Sequence, residues 1–179
     1  MTDGTALREI AAEILTEILE KGQYTHLALF QALSKYQYLE KSDRSFLKRI
    51  VDGTVEYKIQ IDYIINAYSK TKVHKMKPFI RTLLRMSVYQ IYYMDRVPDS
   101  AACNEAVRLA KKRGFSGLSG FVNGVLRSVA RGKGKLTFPD DSVRYSMPDW
   151  ILSLWKENYG AETTHRMAQA GLEKRPFMV

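Results

Sequence analysis

Basic side chains are concentrated in one stretch of the sequence, and their type and spacing suit the binding of phosphate. Residues 106–139 contain eight Lys or Arg and no Asp or Glu. The cations assigned to this surface are Lys111, Lys112, Arg113, Arg127, Arg131, Lys133 and Lys135. Because surface helices normally mix charges of both signs, an acid-free run predicts an anionic partner, with nucleic acid as the first candidate. A solvated basic face without a partner is the alternative.

A glycine-rich loop and a second basic strip extend this hypothesis. Residues 114–120 would place backbone amides at a helix N-terminus, where phosphate can bind. The second strip consists of Lys70, Lys72, Lys75, Lys77 and Arg81. RNA contact and plain solubility explain that strip equally well. Phe115 either stacks on an unpaired base or packs in the core. For Asn123 a hydrogen bond within the helical bundle is slightly favoured over contact with a nucleotide or a neighbouring domain.

Side chains that usually carry catalysis are sparse. Cys103 is the single cysteine, lies among alanines and has no histidine nearby in sequence, so we interpret it as a small buried residue. The three histidines are widely separated and no CxxC pair exists, which argues against a metal site. No GxGxxG turn appears. We therefore predict no catalytic residue, metal or cofactor site in this chain.

The charge of the chain is unevenly distributed. The 179 residues carry a net charge of +9. Residues 1–62 contain 8 basic and 10 acidic side chains, whereas residues 63–179 contain 20 basic and 9 acidic ones. One side that faces a polyanion is therefore expected, with an anionic membrane surface as the second candidate. The N-terminus resembles no targeting peptide, no apolar run approaches roughly 18 residues, and the single cysteine favours the reducing cytoplasm.

Helical periodicity positions these residues. Apolar residues recur at helical spacing in segments 7–19 and 27–33, and a long third helix is predicted from a Ser42 or Asp43 cap to residue 68. Gly53 within that helix indicates a close approach to another helix. Pro78 opens a fourth helix, Asp99 or Ser100 caps a fifth, and residues 119–130 form a sixth.

The composition changes after residue 131. The following glycine- and proline-containing segment is typical of a linker. Pro148 begins a further helix that Gly160 ends, and residues 162–172 form one more. We predict an all-α fold, with a bundle of about six helices in residues 1–132, followed by a linker and about two helices in residues 133–179. The sequence ends at Arg-Pro-Phe-Met-Val, where a β-prone segment has only begun, so we expect a longer protein.

Two blocks of sequence resemble a known family. Residues 104–107 (NEAV) and 120–127 (GFVNGVLR) resemble the NusB-like helical domain. Residues 145–150 (YSMPDW), Trp155, the Tyr159-Gly160 pair and the terminal Arg175-Pro176 resemble the linker helices of the 16S rRNA cytosine-C5 methyltransferases of the RsmB (Sun/Fmu) family. The resemblance covers essentially the whole chain and implies a NusB-like bundle.

This resemblance implies an RNA-binding module that precedes a Rossmann-like catalytic domain. In that family, the catalytic domain binds S-adenosylmethionine and supplies the cysteine that attacks C6 of cytosine. We therefore expect small-subunit rRNA and that domain as partners, no activity in this chain alone, and partial exposure of Trp150, Trp155 and Tyr159. One alternative is a NusB-like antitermination module that binds RNA and ribosomal protein S10. Another is a scaffold that only supports the catalytic domain.

Overall fold

The computed structural model describes residues 3–172, and all regular structure in that range is helical, as predicted. The helices are α1 (Gly4–Leu19), α2 (Thr25–Lys35), α3 (Lys41–Glu56), α4 (Lys58–Tyr68), α5 (Pro78–Tyr93), α6 (Asp99–Lys112), α7 (Ser119–Gly132), α8 (Asp141–Tyr145) and α9 (Asp149–Leu172). Two short 3-10 turns, Val73–Lys75 and Ser116–Leu118, precede α5 and α7.

Helix α5 is the centre of the bundle. Every residue from 82 to 91 is buried, so this helix has no solvent-facing stripe along that length. It contacts α1, α3, α4, α6 and α7. A helix that is buried on all sides must be enclosed by others, and the amphipathic α1, α3, α6 and α7 supply the enclosing faces through one continuous hydrophobic core.

The predicted long third helix is wrong, because the chain turns at Tyr57 between α3 and α4. Tyr57 leaves the helical conformation (φ −94°, ψ 12°), and its ring stacks on Tyr93 with centroids 4.2 Å apart. The first-turn amides of Ile59 and Gln60 donate to the hydroxyl of Ser146, at 3.1 and 3.4 Å. These tertiary contacts stabilise a helix boundary that no local sequence signal marks, so seven helices rather than six precede the linker.

Two predicted helix caps are also displaced. Helix α3 begins at Lys41 after the N-cap residue Glu40, so Ser42 and Asp43 lie in its first turn. Helix α6 begins at Asp99 with Pro98 as the N-cap residue. The observed caps differ from the predicted ones by one to three residues, because proline and the preceding chain direction also determine where the helical conformation starts.

The close approach predicted at Gly53 is confirmed. A Cβ atom added there would lie 2.0 Å from Cζ of Tyr89 on α5. Glycine therefore allows the Tyr89 ring to pack directly on the backbone of α3. This contact is part of the packing that keeps α3 against the central helix.

The segment after α7 is attached to the bundle through α4. Helix α8 packs on α4, and the side-chain amide of Gln60 donates to the carbonyl of Arg144 at 3.1 Å. Ser146 ends α8 in the left-handed region (φ 50°). Gly160 (φ 79°) breaks α9, which confirms the predicted stop there. A small second hydrophobic cluster of Tyr145, Leu152 and Ala168 joins α8 to both halves of α9.

Candidate nucleic-acid interface

The hairpin of α6 and α7 positions the cations that the sequence singles out. Gly114 has φ +84°, and the amide of Phe115 donates to the carbonyl of Ala110 at 2.8 Å, which ends α6 in a tight turn. Helix α7 buries Val122, Leu126 and Val129 against the core. The polar sides of the two helices therefore lie next to each other at the surface.

An open groove of about 490 Å³ runs between these helices. Its lining residues are Asn104, Val107, Arg108, Lys111, Ser119, Gly120, Asn123 and Arg127. Among residues 3–172, no carboxylate lines the groove. Arg108 pairs with Glu105 of its own helix at 3.0 Å, whereas Lys111 is exposed and has no ion-pair partner among residues 3–172. The groove is therefore an electropositive concavity.

Arg127 connects the two helices across this groove. Its Nη2 donates to Oδ1 of Asn104 at 2.9 Å, and its Nε donates to Oδ1 of Asn123 at 3.3 Å. The expected hydrogen bond of Asn123 within the protein is present and uses its amide oxygen. Within the described part of the chain Arg127 has no carboxylate partner, so its positive charge is not neutralised.

Lys112 and Arg113 lie in a different electrostatic environment. Lys112 Nζ lies 2.5 Å from Oε2 of Glu9, while Arg113 contacts Glu9 at 2.9 Å and Glu13 at 2.6 Å. Hydrogen bonds from Lys112 and Arg113 hold the pKa of Glu9 below its ordinary value. The run of residues without Asp or Glu is therefore not a surface without carboxylates. Helix α1 packs beside α6 and brings Glu9 and Glu13 to the C-terminal end of α6.

The remaining cations of the first set extend along α7 and beyond it. Arg131 is exposed and donates only to Ser128 Oγ at 3.3 Å among the described residues. Lys133 and Lys135 follow the helix end and are exposed. Tyr68 of α4 donates to the carbonyl of Gly132 at 3.2 Å. This hydrogen bond holds the end of α7, the point from which Lys133 and Lys135 follow outside the helix.

The second basic strip divides into exposed lysines and a structural arginine. Lys70, Lys72, Lys75 and Lys77 are exposed. Arg81 instead pairs with Glu20, and the neighbouring Arg85 is buried and makes a bidentate contact with Asp62 at 2.7 and 2.9 Å. Because Glu20 occupies its guanidinium, Arg81 acts first as a link between α1 and α5.

The two basic strips meet at a pair of aromatic rings. Phe115 is half-buried and stacks on Phe79 with centroids 5.6 Å apart. Lys77 lies 5.6 Å from the centroid of Phe115, and Arg113 lies 5.6 Å from that of Phe79. Of the two interpretations of Phe115, core packing describes its place in this structure. The contact brings residues 77 and 113 to one surface, which the sequence alone did not reveal.

The glycine-rich loop offers fewer amides than the sequence suggested. The amides of Gly114, Phe115, Leu118 and Ser119 all donate to carbonyls in or next to the loop. Those four groups are therefore occupied by the turn itself and are not free for phosphate.

Cys103 is fully buried, and burial raises the pKa of its thiol, which confirms the interpretation as a small core residue. Among residues 3–172, no group of His, Cys, Asp or Glu is arranged to hold a metal ion. No helix in that range has the length and apolar character needed to cross a membrane.

An apolar surface lies on the first half of α9. Trp150 and Tyr159 are 69% and 58% exposed, Leu154 is also exposed, and Trp155 is half-buried. The expected partial exposure of the three aromatic residues is confirmed. The terminal Arg175-Pro176 pair lies outside the described residues.

Comparison with known proteins adds an independent line of information. The sequence profile of the NusB family matches residues 5–131. The chain is 37% identical over 174 residues to the probable ribosomal RNA small subunit methyltransferase B of Bacillus subtilis, which covers 94% of this chain and 38% of that protein.

Two NusB proteins are similar over the bundle. The transcription antitermination protein NusB of Symbiobacterium thermophilum is 35% identical over 144 residues, covering 76% of this chain and 94% of that protein. The solved structure of NusB from T. maritima superposes with a TM-score of 0.67 at 22% identity, covering 74% of this chain and 93% of that one.

Proposed function

The chain belongs to the NusB family, and from this premise we propose that it is the RNA-binding N-terminal part of a 16S rRNA cytosine-C5 methyltransferase. The chain spans about 38% of the length of the Bacillus subtilis relative. Under this proposal, residues 1–132 bind small-subunit rRNA, and residues 133–179 connect them to a catalytic domain of the same protein.

The observation that carries the proposal is the cationic surface around α6 and α7. Lys111, Arg127, Arg131, Lys133 and Lys135 are not paired with carboxylates among residues 3–172. Such cations bind phosphates and position an RNA without reading its sequence. Lys112 and Arg113 contribute less than the sequence suggested, because Glu9 and Glu13 already neutralise them. The exposed lysines of the second strip extend the surface through Lys77.

Methyl transfer is assigned to the longer protein, not to this chain. S-adenosylmethionine does not fit the described residues, whose regular structure is entirely helical and which contain no strand that leads into a glycine-rich turn. The one cysteine is fully buried and is unsuited to attack a base. We place the cofactor and the nucleophile in the catalytic domain, which the exposed apolar side of α9 would contact.

A second candidate function is that of a NusB-like antitermination module that binds RNA and ribosomal protein S10. Its support is the 35% identity with a NusB protein over 94% of that protein's length. The longer match, which includes α8 and α9, favours the methyltransferase reading. Stoichiometric recovery of S10 by the purified chain, without preference for rRNA, would reverse this ranking.

Charge reversal on α7 tests the proposal. We expect the Arg127→Glu/Arg131→Glu variant to weaken binding to a small-subunit rRNA hairpin by at least tenfold at low salt, and to flatten the salt dependence of binding. The measurement is fluorescence anisotropy across a salt series, with yeast tRNA as the competitor.

The matched control is Lys156→Glu/Arg166→Glu, which makes the same change of charge on α9, where both residues form exposed ion pairs. This control variant should bind almost like the parent chain. Equal affinity of the parent chain and the α7 variant, both folded by circular dichroism, would remove the RNA-binding assignment.

A further inference from the structure

We propose that the groove between α6 and α7 binds one phosphodiester unit of an RNA strand through the side-chain amides of Asn104 and Asn123, which Arg127 orients. The proposal rests on the RNA-binding function proposed above and specifies where the strand is held. It assigns direct contacts to two neutral residues that charge alone does not identify.

Arg127 determines which atoms the two asparagines present. A guanidinium has only donors, so both contacts use the asparagine oxygen atoms, Oδ1 of Asn104 at 2.9 Å and Oδ1 of Asn123 at 3.3 Å. With their acceptors engaged, the two amides have their NH2 groups left to donate. Neither NH2 group has a hydrogen-bond partner within residues 3–172.

The groove therefore selects a ligand rich in acceptors and negatively charged. Lys111 and Arg108 line it on the α6 side, and no carboxylate of the described part of the chain does. Its volume of about 490 Å³ lies in the range of small-molecule sites, roughly 300–1,000 Å³, and is large enough for a phosphate with its sugar. Neutral amide donors combined with a fixed arginine are a common means of holding phosphate oxygens.

The surroundings favour a nucleic-acid strand over an acidic peptide. Arg131 lies one turn beyond Arg127, about 6 Å along the helix axis, and the exposed Lys133 and Lys135 follow in the turn after α7, where the amide of Lys135 donates to the carbonyl of Gly132 at 3.0 Å. A polyanion with a regular charge repeat that enters the groove would meet these cations in succession. At the C-terminal end of α6, the carboxylates of Glu9 and Glu13 neutralise Lys112 and Arg113, so the groove is the less compensated part of the surface.

Isosteric substitutions separate this site from general charge. We expect Asn104→Asp and Asn123→Asp each to weaken binding of the rRNA hairpin by about tenfold or more, because each replaces a donor by an anion that also engages Arg127. Asn158→Asp makes the same change on α9, where Asn158 donates only to the carbonyl of Leu154, and should alter binding less than twofold.

A charge-conserving variant tests the role of Arg127. Arg127→Lys keeps the positive charge but has one ammonium group in place of a planar fork, so it cannot orient both asparagines. We expect several-fold weaker binding with an almost unchanged salt dependence. An effect no larger than that of Lys135→Arg would show that only the charge of Arg127 is used.

Backbone-modified RNA supplies the second readout. A series of hairpins, each with one neutral methylphosphonate, should contain a position that weakens binding to the parent chain but not to Asn123→Asp. If Asn104→Asp, Asn123→Asp and Asn158→Asp weakened RNA binding equally, the groove would not be the phosphate site. The proposed RNA-binding function would stand. If Asn104→Asp and Asn123→Asp lost binding to polyglutamate but kept binding to RNA, the groove would be assigned to an acidic peptide instead. Failure of the Arg127→Glu/Arg131→Glu test is a separate result that removes the RNA function itself.

Discussion

At the scale of single residues, the structure separates cations that the sequence treats as equivalent. Arg127 faces two amide oxygens and keeps its charge, whereas Arg113 contacts Glu9 and Glu13. Arg81 forms an ion pair with Glu20 within a network of charged side chains. The same side-chain type is therefore left without a carboxylate partner at one described position and links two elements at another, depending on which helix packs beside it.

Gly53 offers a test of packing at one residue. We expect Gly53→Ala to lower the free energy of unfolding by about 1–3 kcal/mol, because the new methyl group would overlap the Tyr89 ring. This loss opposes the gain in helix propensity of about 1 kcal/mol that Ala normally brings. Urea unfolding followed by circular dichroism measures the change.

Gly124→Ala is the matched control, since a Cβ atom there meets nothing within 4 Å. It should stabilise the protein by up to about 1 kcal/mol through helix propensity. If Gly53→Ala also stabilised the chain, the contact between Tyr89 and the α3 backbone would not be as close as described.

At the scale of elements, α1 modifies the surface that α6 and α7 present. Its carboxylates Glu9 and Glu13 lie at the basic end of α6 and neutralise Lys112 and Arg113. Exposed ion pairs of this kind add little to stability, typically 0–1 kcal/mol. Their main consequence is electrostatic. Around α6 and α7 they leave the uncompensated charge in the groove and on Arg131, Lys133 and Lys135.

Removing these carboxylates should strengthen RNA binding. We expect Glu9→Gln/Glu13→Gln to bind an rRNA hairpin more tightly and with a steeper salt dependence, by about 0.9 log units per log unit of salt for each additional phosphate contacted. Preference for rRNA over tRNA should fall, because the released cations bind any polyanion. Competition anisotropy across a salt series measures both effects.

Glu17→Gln/Glu157→Gln changes the net charge equally, at exposed positions on α1 and α9. If this control tightens binding as much as the Glu9/Glu13 variant, the result reflects net charge and not the end of α6.

Glu9 of α1 and Glu20, the residue after its last turn, make the free energy of unfolding depend on pH in the acid range. Hydrogen bonds to Lys112 and Arg113 lower the pKa of Glu9, and those to Arg81 lower the pKa of Glu20, from an ordinary value of 4.5. A carboxyl with a depressed folded-state pKa contributes stability that is complete above the unfolded value. That contribution is lost as the pH falls below 4.5 through the folded pKa values.

We therefore expect the melting temperature of the parent chain to fall more between pH 6 and pH 3 than that of Glu9→Gln/Glu20→Gln. The comparison variant is Glu17→Gln, whose pair with Lys21 is exposed. Parallel melting curves for the parent chain and the double variant across this range would contradict a contribution from these two ion pairs.

At the scale of the whole molecule, residues after 132 are held by a small set of specific contacts. The hydroxyl of Ser146 accepts from two amides of α4, and Gln60 reaches the carbonyl of Arg144. Phe138 also packs on the bundle beside Tyr63, the hydroxyl of Tyr57 donates to the carbonyl of Leu172 at 3.4 Å, and a small apolar cluster joins α8 and α9. Trp150 and Tyr159 are exposed and form an apolar side of α9.

Ser146→Ala should loosen α8 and α9 without unfolding the bundle. Two α4 amides would lose their side-chain acceptor, at a cost of about 1 kcal/mol. We expect faster hydrogen exchange at residues 141–152 and earlier trypsin cleavage after Arg144, with unchanged exchange in α5. Ser153→Ala, at an exposed α9 position, should change neither, and an equal effect of both variants would show that Ser146 does not anchor the segment.

The sequence by itself determined the helical class, most helix positions, the close approach at Gly53, the buried cysteine and the concentration of basic charge. These follow from periodicity, composition and backbone chemistry, which are local properties. The family motifs in residues 104–107 and 120–127 also stand in the linear sequence, and the profile match to residues 5–131 agrees with them.

The tertiary structure alone decided the break at Tyr57, the pairing of Lys112 and Arg113 with α1, and the contact of Arg127 with two asparagines. Each depends on residues distant in sequence: Ser146 meets α4 across 86 or more positions, and Glu9 meets Arg113 across 104. Electrostatic interactions depend on distance in space, so only the packed helices determine which charges remain uncompensated.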